Sequence, residues 1–193
     1  MQEEQRKQIQ GKELYEWVQA LVSSVLVIVL IFTFVIRLVG VDGHSMLPTL
    51  QHEDRLLMLN SMLCGEYEAG DIVIVRKESF LQDQIVKRVI ATGGQTVDID
   101  FTTGSVWVDD QLLDEPYINE LTFTDEGLEF PVTLQDHEVF VMGDNRNASS
   151  DSRDPSLGPV DERYIVGKAV ILAFPGPDVY TEQRVYSRIG VIG

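Results

Sequence analysis

The chain opens on a segment with no polar face. From Trp17 to Val41 it reads WVQALVSSVLVIVLIFTFVIRLVGV, and residues 18–36 carry no charge. Nineteen residues of helix rise roughly 28 Å, about the hydrocarbon thickness of a bilayer. A buried core helix would rarely be apolar on every side. A cleaved signal segment would have a shorter apolar core and a small-residue cut site, and the following IRLVGV offers none. The pattern therefore predicts a transmembrane helix over residues 17–39. After residue 40 the period shortens to that of strands. DRLLMLN, DIVIVRK, QIVKRVIAT, TVDIDF, SVWVDD, HEVFVMGD and IVGKAVILAF are short β-rich runs, most of them separated by Gly, Pro, Asp and Asn. In TVDIDFTTGSVWVDDQLL, Val97, Ile99 and Phe101 alternate with Asp98 and Asp100, which predicts a hairpin turning at TTGS. No long segment of helical period competes. The expected fold is mainly β: an N-terminal transmembrane helix, then an all-β domain over 40–193 with irregular insertions near 113–136.

Charge refines this division. The net charge is −16. Residues 1–40 balance Arg6, Lys7, Lys12 and Arg37 against Glu3, Glu4, Glu13 and Glu16, so the whole excess lies in the β domain. An acidic domain repels phosphate backbones, which argues against nucleic acid as a partner. The three Lys/Arg before the apolar segment place residues 1–16 in the cytoplasm and the β domain on the extracytoplasmic side. Cys64 is the single cysteine, so no intramolecular disulfide is possible, and it reads as a buried apolar residue. His44, His52 and His137 show no metal-ligand spacing. LLMLNSML, residues 56–63, reads as a buried strand, with lipid contact the alternative.

Three segments carry groups that could do chemistry. GHSMLPTL, residues 43–50, places Ser45 in a turn just after the apolar helix. A serine hydroxyl is a poor nucleophile until a base takes its proton. His44 is too close in sequence to serve, and nothing marks His52 or His137 as a triad histidine. The other base is a lysine held neutral by burial. Lys87 lies among Ile85, Val86, Val89 and Ile90; it either points into that apolar environment or faces solvent from an edge strand. MGDNRNASSDSRDPSLGPV, residues 142–160, has the composition of a solvated loop, yet it supplies a hydroxyl, carboxylates and guanidinium groups that could orient an amine.

Taken together these segments resemble the boxes of bacterial type I signal peptidases, membrane-bound serine proteases with a Ser-Lys dyad. GHSMLPTL resembles the nucleophile box, GDIVIV the next strand, VKRVIATGG the lysine box, and GDNRNASSDSR with GPV the last box, in the family's order behind an apolar anchor. The resemblance implies Ser45 as nucleophile and Lys87 as general base. It implies Ser149 as a hydrogen-bond partner that orients the lysine, and an Asp151–Arg153 ion pair that holds the last loop. Asp144 and Arg146 would be structural members of the same box. Met46, Leu50, Val41 and Val86 fall where the family lines its apolar subsites. Gly43 stands where many Gram-negative members have a serine, as in Gram-positive members, so oxyanion stabilisation would rest on backbone N–H groups including that of Ser45. TGGQ replaces the Pro-Gly-Asp that often ends the lysine box. The implied activity is cleavage of signal peptides from secretory preproteins after small residues, at the cell membrane and without a metal or organic cofactor. Two rivals resemble the same fold: self-cleaving repressors, which need a DNA-binding module or an internal cleavage loop, and non-catalytic membrane-anchored assembly factors for surface fibres, which can lack the lysine.

Overall fold

The structure, a computed structural model, describes residues 2–192, with side chains from residue 15 onward. Two compact units emerge, Met1–Arg37 and Leu38–Gly193. The first is dominated by helix α1 (Gln2–Phe34). Its stretch Tyr15–Phe34 has a mean hydropathy of 2.3 and none of it is buried within the protein, as expected of a helix whose surroundings are lipid. The helix stops at Phe34, short of residue 39, and Ile36–Gly40 is a strand, β1. Val35, Ile36 and Val39 are β-branched and Gly40 is a weak helix former, so helical propensity runs out there.

The second unit is β. All seven runs read from the sequence are strands: β2 (Arg55–Asn60), β3 (Ile72–Val75), β4 (Ile85–Ala91), β5 (Thr96–Asp100), β6 (Ser105–Val108), β9 (Glu138–Met142) and β11 (Ile165–Phe174). Short strands not anticipated are β1, β7 (Gln111–Leu112), β8 (Val132–Thr133), β10 (Val160–Asp161) and β12 (Gly190–Val191). The larger sheet has the order β1-β2-β11-β3-β4-β9-β10, with β12 also on β11. The smaller has the order β7-β6-β5-β8 and contains the expected hairpin, Val97 facing Val108 and Asp100 facing Ser105. Between residues 113 and 136 the only regular element is β8, so this stretch is irregular as its composition suggested.

Three apolar clusters fill the domain. One gathers Val41, Met46, Leu50, Leu56, Met58, Ile72, Ile74 and Val86 under the turn that follows β1. A second joins β3, β9 and β11 through Val73, Val75, Val141 and Ile165. The third seals the small sheet against β4 and β9 through Ile90, Val97, Val106, Phe140 and Met142. Strand β4 takes part in all three, and from Val86 to Ala91 every residue is buried. The candidate base therefore sits on a strand packed into all three clusters.

Candidate active site

Ser45 lies in the turn over residues 44–50, closed by Leu47 N–H to the His44 carbonyl and Leu50 N–H to the Met46 carbonyl. Gly43 enters it with φ +94°, a conformation that costs glycine little. The Gly43 N–H donates to His52 Nδ1 at 3.2 Å, and the two histidine rings stack 5.9 Å apart, so His44 and His52 pair with each other beside the turn. The Ser45 N–H makes no hydrogen bond among the described residues.

Lys87 comes from β4, facing Val73 of β3. It is only 3% exposed, and its Nζ donates to Ser45 Oγ at 2.7 Å. Of the two placements open from sequence, the buried one is found. Burial pushes the amine down from 10.5 to about 8, because a low-dielectric surrounding disfavours the ammonium form. The Asp151 and Glu126 carboxylates oppose this shift and the Arg153 guanidinium reinforces it.

The last loop supplies Asp151 and Arg153, and the irregular stretch supplies Glu126. Asp151 and Arg153 are both fully buried, and Arg153 forks onto the carboxylate with Nε to Oδ1 at 2.8 Å and Nη2 to Oδ2 at 2.9 Å. Asp151 Oδ2 also accepts from the Gly143 N–H and from Ser149 Oγ, each at 2.9 Å. The Ser149 hydroxyl is thus spent on Asp151, and no hydrogen bond joins it to Lys87 among the described residues. Arg153 Nη1 and Nη2 donate to the carbonyls of Thr124 and Arg146, so one buried cation ties the start of the loop to the irregular stretch.

Asp144 and Arg146 do not pair with each other. Asp144 receives a bidentate fork from Arg88, Nε and Nη2 each at 2.8 Å, and the Thr49 hydroxyl at 2.5 Å. Arg146 Nη1 donates to Glu115 at 2.9 Å and to Thr122 at 3.0 Å. The Tyr117 ring lies 4.2 Å from the Arg88 guanidinium, a cation–π contact. The Asn145 N–H donates to the Ser45 carbonyl at 2.9 Å and its side chain to the His44 carbonyl. Gly143 leaves no alternative at that corner: a Cβ would strike the Ser149 hydroxyl and the Ser45 carbonyl.

Val41, Met46, Leu50 and Val86 belong to one cluster beneath the turn. Val41 and Val86 keep 6% and 8% exposure, whereas Met46 and Leu50 are at 1% and 0%. Thr49, Arg88, Glu115, Tyr117 and Glu126 were not singled out from sequence. A cation beside the candidate base was a signal for Arg88; Glu115, Tyr117 and Glu126 lie in the irregular stretch, where no pattern marks them.

Arranged this way, the site holds a partly exposed hydroxyl, a buried amine of lowered basicity in contact with it, an unengaged N–H on the same residue, and a rigid carboxylate–guanidinium brace behind. It can pass a proton from hydroxyl to amine and present the oxygen to an electrophile.

The family model for signal peptidase, peptidase S26, matches residues 14–174. Signal peptidase I S of Bacillus subtilis (strain 168) is 32% identical over 173 residues, covering 85% of this chain and 91% of that relative. Signal peptidase I T of the same organism is 36% identical, covering 83% of this chain and 85% of that relative. A probable signal peptidase I-1 of Synechocystis sp. is 38% identical, covering 80% and 79%. With a family model spanning most of its length and relatives matched nearly end to end, the chain belongs to the signal peptidase, peptidase S26, family.

Proposed function

We propose that this protein is a membrane-anchored signal peptidase that cleaves signal peptides from secretory preproteins after small residues, with Ser45 as nucleophile and Lys87 as general base. The observation that carries the reading is the 2.7 Å contact between a 3%-exposed lysine amine and the Ser45 hydroxyl. Neutral Lys87 takes the Ser45 proton as Oγ adds to the scissile carbonyl. The developing oxyanion is met by the Ser45 N–H. Collapse of the tetrahedral adduct breaks the C–N bond; the departing amine takes the proton from Lys87, leaving an ester on Ser45. Water then loses a proton to Lys87 as it adds to the ester; the second adduct collapses with Ser45 Oγ taking that proton back from Lys87, which frees the signal peptide's new carboxyl end and restores the serine and the neutral amine. Asp151 and Arg153 brace the loop, Ser149 supports it through Asp151, and Asp144 and Arg146 fix its first turn.

The substrate lies extended. Strand β4 pairs with β3 over Ile85–Arg88, and its pairing with β9 begins only at Arg88, so Ile85–Lys87 have one free edge among the described strands. Leu38, Val39, Gly40 and Asp42 line a groove of about 500 Å³ with Gln82, Asp83 and Gln84. A strand entering between these edges would be held by β-augmentation, with Val41 and Val86 at its small side-chain subsites and Met46 and Leu50 backing them. The apolar stretch of the helix, ending at Phe34, anchors the chain, residues 1–16 lie in the cytoplasm, and the β domain that begins with β1 is extracytoplasmic and catalytic.

Purified protein in detergent, incubated with a preprotein, tests the reading. Cleavage after a small residue is expected, with none from Ser45→Ala of unchanged melting temperature. Full activity in that variant would remove the nucleophile assignment. A wild-type protein that binds but never cuts would favour a non-catalytic role.

A further inference from the structure

The family match ends at residue 174, yet the segment beyond it reaches the nucleophile turn. Residues 175–192 fold back onto the domain: Gly190–Val191 pair with β11, Pro177 bridges Arg184, and Arg188 ends a one-turn 3-10 helix, Tyr186–Arg188. From there the Arg188 guanidinium forks onto Asp54, Nη1 to Oδ1 at 3.1 Å and Nη2 to Oδ2 at 2.7 Å. Nη2 also donates to the Thr49 carbonyl at 3.1 Å. Asp54 is fully buried, and its remaining donors are the N–H groups of Gln51 at 2.8 Å and Gly176 at 2.7 Å. A single carboxylate thus joins the end of the nucleophile turn to the C-terminal segment.

Thr49 is held at both of its ends. Its carbonyl is fixed by Arg188 and its hydroxyl by Asp144, which is locked to Arg88 beside the candidate base. The backbone bonds between residues 44 and 50 transmit that anchorage along the turn to Ser45. A guanidinium suits the task because its planar fork satisfies two carboxylate oxygens and a carbonyl at once.

We propose that Arg188 is a positioning residue for the nucleophile: by pinning Thr49 and Asp54 it holds the far end of the turn so that Ser45 Oγ stays within reach of Lys87. This rests on the assignment of Ser45 as nucleophile. A role confined to packing would lower the melting temperature of a variant but leave the turnover of its folded fraction intact. A positioning role lowers kcat and spares KM, because the substrate strand would meet β1 and β4 and not the C-terminal segment.

The experiment uses the full chain in detergent with a preprotein substrate, well below the melting temperature of each variant. Arg188→Ala should lose about tenfold or more in kcat with KM changed by less than about twofold, since small misplacements of reacting groups cost that much or more. Arg188→Lys should fall between, because one ammonium can neutralise Asp54 but cannot also hold Thr49. Arg163→Ala, which breaks an exposed pair with Asp161, should match wild type. Wild-type kcat in folded Arg188→Ala, or a loss confined to KM, would overturn the proposal. If Arg188→Ala does not fold, Arg188→Lys decides alone: reduced kcat supports the proposal and wild-type kcat overturns it. Ser45→Ala run alongside separates the two claims, for activity there would sink the nucleophile itself, whereas an inactive Ser45→Ala beside a fully active Arg188→Ala would sink only the role of Arg188.

Discussion

Lys87 serves the proposed chemistry at the expense of the fold. Its burial holds the amine at about 8 in the native state against 10.5 when unfolded. Below pH 8 both states bind the proton and the native protein carries the full desolvation cost. Between 8 and 10.5 the unfolded chain still binds a proton that the native state has released, so stability rises with pH in that window. Lys87→Met should therefore be inactive yet more stable at pH 7, by about 3 kcal/mol, and its melting temperature should rise by several degrees; a thermal scan that shows a fall would mean the amine is a net stabiliser. Activity of the wild type should climb as pH passes through about 8, and Lys87→Arg should be dead because a guanidinium stays protonated. A rate that is flat from pH 7 to 9, read at saturating substrate, would remove the base assignment. Lys87 was legible as a candidate from its box, but its environment was not. Strand β4 is buried on both faces, so it lacks the alternation that would have told inside from outside.

Within the loop GDNRNASSDSR, the hydrogen bonds separate two kinds of support. Asp151→Ala strands a fully buried guanidinium and should cost about 3–5 kcal/mol, with activity falling alongside melting temperature. Ser149→Ala removes one of several donors to a carboxylate that keeps the rest, a stability cost of about 1 kcal/mol or less; any larger loss should appear in rate. Measuring both quantities for both variants checks the division, and a Ser149→Ala protein that melts far below Asp151→Ala would reverse it. The sequence placed Asp144 and Arg146 side by side in one box but could not supply their partners. Arg88 and Glu115 lie 56 and 31 residues away, and only the pairing of β4 with β9 and the path of the irregular stretch bring them in.

At the scale of the molecule, 27 acidic and 11 basic residues follow residue 40, and the excess repels itself. Raising ionic strength from 0.01 to 0.15 M shortens the screening length from about 30 to 8 Å, so the melting temperature should rise with salt. The pairs of Arg88 and Arg153 are buried and little screened, while exposed pairs such as Arg163–Asp161 contribute little at any salt. A melting temperature that drops with salt would mean the exposed pairs outweigh the repulsion. Seven strands were readable because each carries apolar residues, β-branched in all but β2, in a short run or alternation between turn signals. The two- to five-residue edge strands were not, since pieces so short take their form from the neighbour they lie against.

The absence of a side chain at Gly143 has a consequence for mapping by selection. In a library of random variants scored for growth or secretion, position 143 would tolerate almost nothing, and on that score alone it would be indistinguishable from Ser45. The intolerance has a different origin, since every side chain would collide with the Ser149 hydroxyl and the Ser45 carbonyl. A map of essential positions would therefore blend the residue that reacts with the residue that must stay out of its way. A hydroxyl-directed covalent probe would resolve them, because Gly143 variants retain a serine that can be labelled, slowly, and Ser45 variants do not.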